Sequence, residues 1–451
     1  MTRHMSRYGA KLIDAFGQLR GSYGFVPALM TVGALLLAAL ALQVPESVGN
    51  AVADIFGLPP SPKAESMRDL IGLIASATIG TGGVAFSMMV AATVTAATQY
   101  GPRLLTNFLA DRATQLTLGV FVATFVYAVL VYAAIRDDNV RSFAGLIAML
   151  LALASVAALV YFLHHAPATL RINHAISSIG GTLLANIETR FPANCGQPAR
   201  GKRMEPPPQG EPTQQLLSAK AGILSIIDGE RLAEEAAAAG VVIVIRTRPG
   251  QFLSTGQAMA DVYGPILSDR RRNDMVGQFA VAKLRTPSQD NEFLADELVE
   301  IALRALSPGI NDPVTASACF DWLGASLGRI AGSEPPTAWR GPQDRSARIY
   351  AQPLAFPAYL ERTFGRIRQP ASGNVHAAEA FLRGLATIGV EGRENTAAMR
   401  LVVEQARALL AQAELALSGP DLESVHLYAR RFDAVLAERP VALDKFAPAD
   451  E

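Results

Sequence analysis

Residues 70–102 read LIGLIASATIGTGGVAFSMMVAATVTAATQYGP, and no charged side chain interrupts them. A helix needs only about 20 apolar residues to cross the hydrocarbon core of a bilayer. These 33 residues therefore exceed one crossing. Three more uncharged runs flank them, at 21–45, 113–135 and 142–170. The expected fold is an α-helical integral membrane bundle of four transmembrane helices, near residues 25–44, 70–98, 114–135 and 142–164. Together they form a membrane domain over 25–170, preceded by a short segment, 1–24.

Composition supports a split chain. The 451 residues hold 40 Lys+Arg and 40 Asp+Glu, so net charge gives no reason to expect nucleic acid. Up to residue 170 there are only ten basic and eight acidic side chains; the remainder of the chain carries 30 and 32. The second part thus reads as soluble. Cys195 and Cys319 lack metal-ligand spacing, so neither a disulfide framework nor a zinc site is expected. The first apolar run is longer than a signal-peptide core and no small-residue cleavage site follows it, so a cleaved leader is not expected either.

Basic residues near the helix ends set the topology. Arg3, Arg7, Lys11 and Arg20 precede the first helix, Arg103 and Arg112 follow the second, and Arg171 and Arg190 follow the fourth. The opposite side holds Lys63, Arg68, Arg136 and Arg141, the last two diluted by Asp137 and Asp138. Both termini are expected in the cytoplasm, with 46–69 as an external loop.

The second helix is distinctive in composition. Gly72, Ser76 and Gly80 form a small-xxx-small ladder, and Gly82 and Gly83 follow. Such ladders let helix backbones approach closely. Gly80, Gly83, Ser87, Thr93, Thr95 and Gln99 are candidates either to line a pore or to pack a bundle. Gly101-Pro102 breaks the helix, and Arg103 and Asn107 begin an amphipathic stretch that serves as a gate or an interfacial anchor.

The soluble part is expected to be α+β. A Pro-rich linker at 192–212 leads to a small β-rich unit over 213–286. A helix–loop–helix follows over 287–330, then a linker at 331–345 and a mostly helical region over 350–439. In the helix–loop–helix, Leu294, Leu298, Ile301 and Ala305 make an apolar stripe. Glu297, Glu300 and Arg304 are read on the solvated face. Asp312-Pro313 is a helix start, aspartate as cap and proline at the first helical position. Asp290, Glu297, Glu300, Arg304, Asn311 and Asp312 are the candidates for a ligand- or partner-binding loop; caps and turns explain them equally well. No nucleophile–base pair, phosphate-binding loop or metal-spaced cluster is present in the sequence, so no enzyme, metal or cofactor is expected.

Residues 99–126 (QYGPRLLTNFLADRATQLTLGVFVATFV) and 301–315 (IALRALSPGINDPVT), with Pro249-Gly250 and 364–368 (FGRIR), resemble a bacterial family of predicted membrane proteins. It is classed as domain-of-unknown-function family 2254. The resemblance implies an inner-membrane protein with a cytosolic domain, and carries no activity to transfer. Two functions are expected from the residues. One is a homo-oligomeric channel or transport-related protein passing a small solute or ion. The other is a membrane-anchored sensor or scaffold.

Overall fold

The computed structural model describes residues 24–55, 63–100, 112–136, 140–169, 172–190, 207–286, 289–333, 338–341, 348–352 and 354–437. The chain divides into two compact units, residues 17–175 and 176–451.

The first unit is a helical bundle built from α1 (Phe25–Ala41), α2 (Glu46–Ile55), α3 (Ala64–Tyr100), α4 (Arg112–Ala134) and α5 (Ser142–Thr169). Three of these, α3, α4 and α5, are long and apolar enough to cross a membrane. The expectation of four crossings is met less fully at α1, which has 17 residues. Val44-Pro45 curtails it, because the residue before proline is pushed out of the helical region. The supposed external loop at 46–69 is also corrected. It contains α2, and α3 starts six residues before the uncharged run. Hydropathy locates the apolar stretch and misses charged turns that continue the same helix.

Helix α4 packs against α1, α3 and α5. Small residues permit the approach. A Cβ on Gly82 of α3 would lie 3.0 Å from the Phe121 Cβ of α4, and one on Gly119 would strike Met30 of α1. Polar groups between the helices are paired, as hydrocarbon surroundings require. The Thr124 and Ser155 hydroxyls lie 3.0 Å apart, and the Tyr127 hydroxyl donates to the Ala144 carbonyl at 3.1 Å. One end is tied by charge. Arg68 donates to the Ile135 carbonyl at 2.9 Å and Arg141 to that of Leu42 at 2.6 Å, while Glu46 accepts from the Val140 amide at 2.6 Å.

Helix α6 (Ile172–Arg190) runs across the boundary at 175, and the second unit continues with the strands β1 (Gln214–Leu217) and β2 (Gly222–Ile227). Helix α7 (Gly229–Ala239) follows, capped by Asp228 and ended by Gly240 at φ +69°. Then come β3 (Val242–Ile245), β4 (Phe252–Leu253), β5 (Ala258–Tyr263), α8 (Asp269–Val276) and β6 (Phe279–Ala282). Strands β7 (Trp339–Arg340) and β8 (Ile349–Tyr350) return to the same region. The strands form two sheets, ordered β1-β5-β3-β8-β7 and β4-β2-β6. The β-rich part expected over 213–286 thus takes in later residues, since β3 pairs in parallel with β8. The segment read as a linker at 331–345 contains β7. Two-residue strands are too short to show a period of two.

Helices α9 (Asn291–Ala305) and α10 (Pro313–Gly332) form the expected helix–loop–helix. Beyond the strands lie α11 (Phe356–Leu360), a π-helical turn (Glu361–Gly365) running into α12 (Arg366–Ser372), then α13 (Val375–Glu391), α14 (Thr396–Ala416) and α15 (Gly419–Ala437). The core here is aromatic: Phe320 and Phe364 stack at 6.0 Å, and Phe381 meets both edge-on, at 5.5 and 5.0 Å between ring centres. Helices α10 and α13 cross at glycines. A Cβ on Gly324 would lie 2.8 Å from the Gly384 carbonyl oxygen, and one on Gly384 would lie 2.9 Å from Phe364.

Overpacking a close core costs about 1–3 kcal/mol. Gly384→Ala is expected to lower the thermal midpoint of the detergent-purified protein, followed by tryptophan emission. Gly373→Ala, where nothing lies within 4 Å, should leave it unchanged.

Candidate functional site

Two places concentrate chemistry, one in each unit. In the second unit it is a buried ionic cluster around α9. The apolar stripe of that helix is buried as expected, with Leu298 and Ala305 fully covered. The opposite side is covered as well. Asp296 is 7% exposed, although it points away from the stripe. Arg362 grips its carboxylate with two bonds, Nε to Oδ1 at 2.8 Å and Nη2 to Oδ2 at 2.6 Å. Arg285 Nη1 donates to Oδ2 at 2.7 Å, and Arg366 Nη1 lies 3.4 Å from Oδ1. Two-pronged guanidinium–carboxylate pairs are the strong form of this interaction.

The cluster extends on both sides. Arg285 Nε donates to Asp290 Oδ2 at 2.8 Å, with its guanidinium 5.3 Å from the Phe293 ring centre. Asp290 Oδ1 accepts from the Phe293 amide at 2.9 Å and so caps α9. Glu292 sits 3.1 Å from Arg362 and 3.6 Å from Arg248. The Pro249-Gly250 turn abuts Asp290 so closely that a Cβ on Gly250 would collide with the carboxylate, and its φ of +92° also requires glycine. On the far side the π turn places Arg362 and Arg366 on Asp296 while Phe364 between them enters the aromatic core. At Gly365 a Cβ would lie 2.6 Å from Glu361 Oε2, so glycine lets that side chain fold over the widened turn.

The two acidic groups are pushed apart. Burial on its own raises the Asp296 carboxyl, but hydrogen bonds and charge from Arg362 and Arg285 outweigh it and hold the group below the usual carboxylate range. At Glu292 burial prevails over Arg362 and Arg248, and the carboxyl lies above its usual range.

The residues read from sequence fall differently. Asp312 caps α10, accepting from the Thr315 amide at 3.1 Å and its hydroxyl at 2.6 Å. Asn311 takes φ +49°, the left-handed turn conformation that asparagine tolerates, and lies 3.5 Å from Asn374. Glu300 and Arg304 form a half-exposed pair at 3.6 Å, of a kind worth little. Glu297 is a correction: at 3% exposure it is buried beside the stripe and not on a solvated face. Arg248, Arg285, Glu292, Asp296, Arg362 and Arg366 were missed. Their one sequence signal is the acidic pair Glu292 and Asp296, one turn apart on the side of α9 away from its stripe.

In the membrane unit the site is α3. Ile71, Ile74, Thr78, Gly82, Met89 and Thr93 define its buried side. Thr93, one of the pore or packing candidates, is 1% exposed with its hydroxyl on the Met89 carbonyl at 2.7 Å. At 100° per residue the opposite side carries Ser76, Gly80, Gly83, Ser87, Ala91 and Thr98, all exposed. Thr95 lies at the edge of this stripe, and a Cβ on Gly80 or Gly83 would meet nothing within 4 Å. Gln99 lies in the last turn of α3; Gly101, Pro102, Arg103 and Asn107 lie outside the described residues.

Removing one partner of a buried ion pair costs about 3–5 kcal/mol, and Asp296→Ala is expected to destabilise the soluble unit by that amount in chemical denaturation. The pH dependence has a definite sign. The depressed Asp296 carboxyl contributes stability that is complete above its unfolded-state value and is lost as pH falls through the folded-state value, a limb that Asp296→Asn should remove. The raised Glu292 carboxyl does the reverse: Glu292→Gln should be more stable than the parent at neutral pH, and the two should converge as acid protonates Glu292.

A family model described as a predicted membrane protein (DUF2254) matches residues 20–387. Uncharacterized proteins of Mycobacterium bovis and Mycobacterium tuberculosis are 27% identical over 333 residues, covering 71% of this chain and 63% of theirs. The chain thus spans less than two thirds of the length of these relatives. No solved structure matches it. With the match covering both the apolar helices and the ionic cluster, the chain belongs to the DUF2254 family of predicted membrane proteins.

Proposed function

We propose that the protein is a homo-oligomeric channel or transport-related protein of the bacterial inner membrane, with both termini cytoplasmic and its soluble unit acting as the gate. The observation that carries this is the exposed stripe of α3. Small residues in transmembrane helices serve close helix–helix contact, yet among the described residues nothing lies within 4 Å of a Cβ placed on Gly80 or Gly83. Further copies of the chain supply the missing contact.

The hydroxyls on this side favour a cation. Ser76 donates to the Gly72 carbonyl at 2.8 Å, Thr95 to that of Ala91 at 3.0 Å, and Thr98 to that of Thr95 at 2.7 Å. With their protons spent on the backbone, these oxygens offer acceptors, the groups that replace a cation's water shell. The sensor reading has less behind it, because Asp290, Asn311 and Asp312 are engaged as caps and turn residues.

Purified protein in planar bilayers is expected to conduct small cations. Gly80→Leu and Gly83→Leu should abolish conductance, and Thr93→Val, on the buried side, should preserve it. Absence of any conductance from the pure parent protein would falsify the channel. Disulfide trapping tests assembly separately: Ser87→Cys should yield cross-linked copies, and a purely monomeric product sinks the oligomer.

A further inference from the structure

The soluble unit has an apolar, cationic edge that no part of the described chain covers. Across the β4-β2-β6 sheet, Phe252, Ile223 and Ala282 stand opposite one another in register and so share one face. Phe252 is 64% exposed, and Leu284, just past the end of β6, is 74% exposed. Phe252 on β4 and Leu284 past β6 flank β2 at one end of the sheet, and both are left open.

Residues 217–227, 246–253 and 279–286 hold Lys220, Arg246, Arg248, Lys283 and Arg285, and the nearby acidic residues Asp261, Asp290 and Glu292 are taken up by the arginines. The arginines are neutralised inward, Arg246 by Asp261, Arg248 by Glu292 and Arg285 by Asp290 and Asp296. The two lysines are exposed and, among the described residues, have no carboxylate partner. Lys220 lies two residues before β2, and Lys283 directly follows β6 beside Leu284. Two solvated ammonium groups thus frame two exposed apolar side chains.

We propose that this edge docks on the anionic lipid surface of the membrane that carries the chain, with Phe252 and Leu284 entering the headgroup boundary and Lys220 and Lys283 pairing with anionic headgroups. Apolar area and cationic charge act together in such contacts, and each lysine near an anionic surface adds to the attraction. Membership of a membrane-protein family keeps a bilayer within reach of the soluble unit at all times, so a weak contact is enough. A soluble protein partner would also cover the apolar pair, but it has no general reason to be anionic, whereas the bilayer does.

Full-length protein in nanodiscs carrying bromine-labelled acyl chains tests this. Bromine quenches the emission of the Phe252→Trp variant only on contact with the lipid, and the unsubstituted protein gives the background from Trp322 and Trp339. Quenching is expected with phosphatidylglycerol in the disc and not with phosphatidylcholine alone, and it should fall as salt is raised. Adding Lys220→Gln and Lys283→Gln should lower the docked-to-undocked ratio roughly 30-fold. The Leu284→Trp variant reports the same contact if tryptophan at 252 disturbs the sheet. Equal quenching in both lipids, or none from either variant, overturns the proposal. Protection of both probes from lipid bromine and from an aqueous quencher alike assigns the patch to a protein instead, and overturns it too.

Discussion

A carboxylate held in a protein interior has to be matched by cations, and the soluble unit is organised around one such requirement. Asp296 is buried because Arg285, Arg362 and Arg366 converge on it. Those arginines arrive from two parts of the chain, one just before α9 and one in the π turn some seventy residues later. Asp290 and Glu292 extend the same network to Arg248 and the Pro-Gly turn of the β-rich part. Remove Asp296 and three guanidinium groups lose a shared counter-charge. The network therefore couples the sheets, the helix–loop–helix and the C-terminal helices more specifically than apolar contact does.

The bundle meets the opposite demand. In a bilayer charge is excluded from the helices and polar groups have to be satisfied locally. Hydroxyls of α3 turn back onto their own carbonyls, and the arginines that do occur, Arg68 and Arg141, reach backbone carbonyls at one end of the bundle. Glycine at 82 and 119 lets α3 and α1 approach α4, so packing there depends on shape and not on charge.

What the sequence disclosed follows from this contrast. Uncharged runs and the stripe of α9 are local signals, and α3, α4, α5 and α9 were legible from them, as was Asp312 as a cap. The start of α3 at Ala64 was hidden because charged residues continue the helix. Strands β7 and β8 were hidden because two residues carry no period. Glu297 was misread and Asp296 was missed. Charged residues on one side of a helix read as solvated unless something covers them, and at Asp296 the cover comes from a distant segment through long-range ion pairs. The ionic cluster lay in that blind spot, although FGRIR at 364–368 marked one of its strands of chain.

Burial also changes the meaning of the residues that were legible. Thr93 and Gly83 have similar composition-based claims to a pore, yet one faces α3's packed side and the other faces outward. The same distinction applies to the soluble unit, where Lys283 and Arg285 are two residues apart. Arg285 is consumed by two carboxylates, while Lys283 stays solvated beside an exposed leucine. A side chain already satisfied within the protomer has little left to offer a partner. Among the described residues, two sets with exposed side chains are the small-residue stripe of α3 and the solvated pair Lys220 and Lys283. In the two proposals, the stripe meets another helix in hydrocarbon and the lysines meet the headgroup layer. If the soluble unit gates the bundle, the lipid surface is then a third body in that coupling, because docking restrains the unit independently of the ionic network that holds it together.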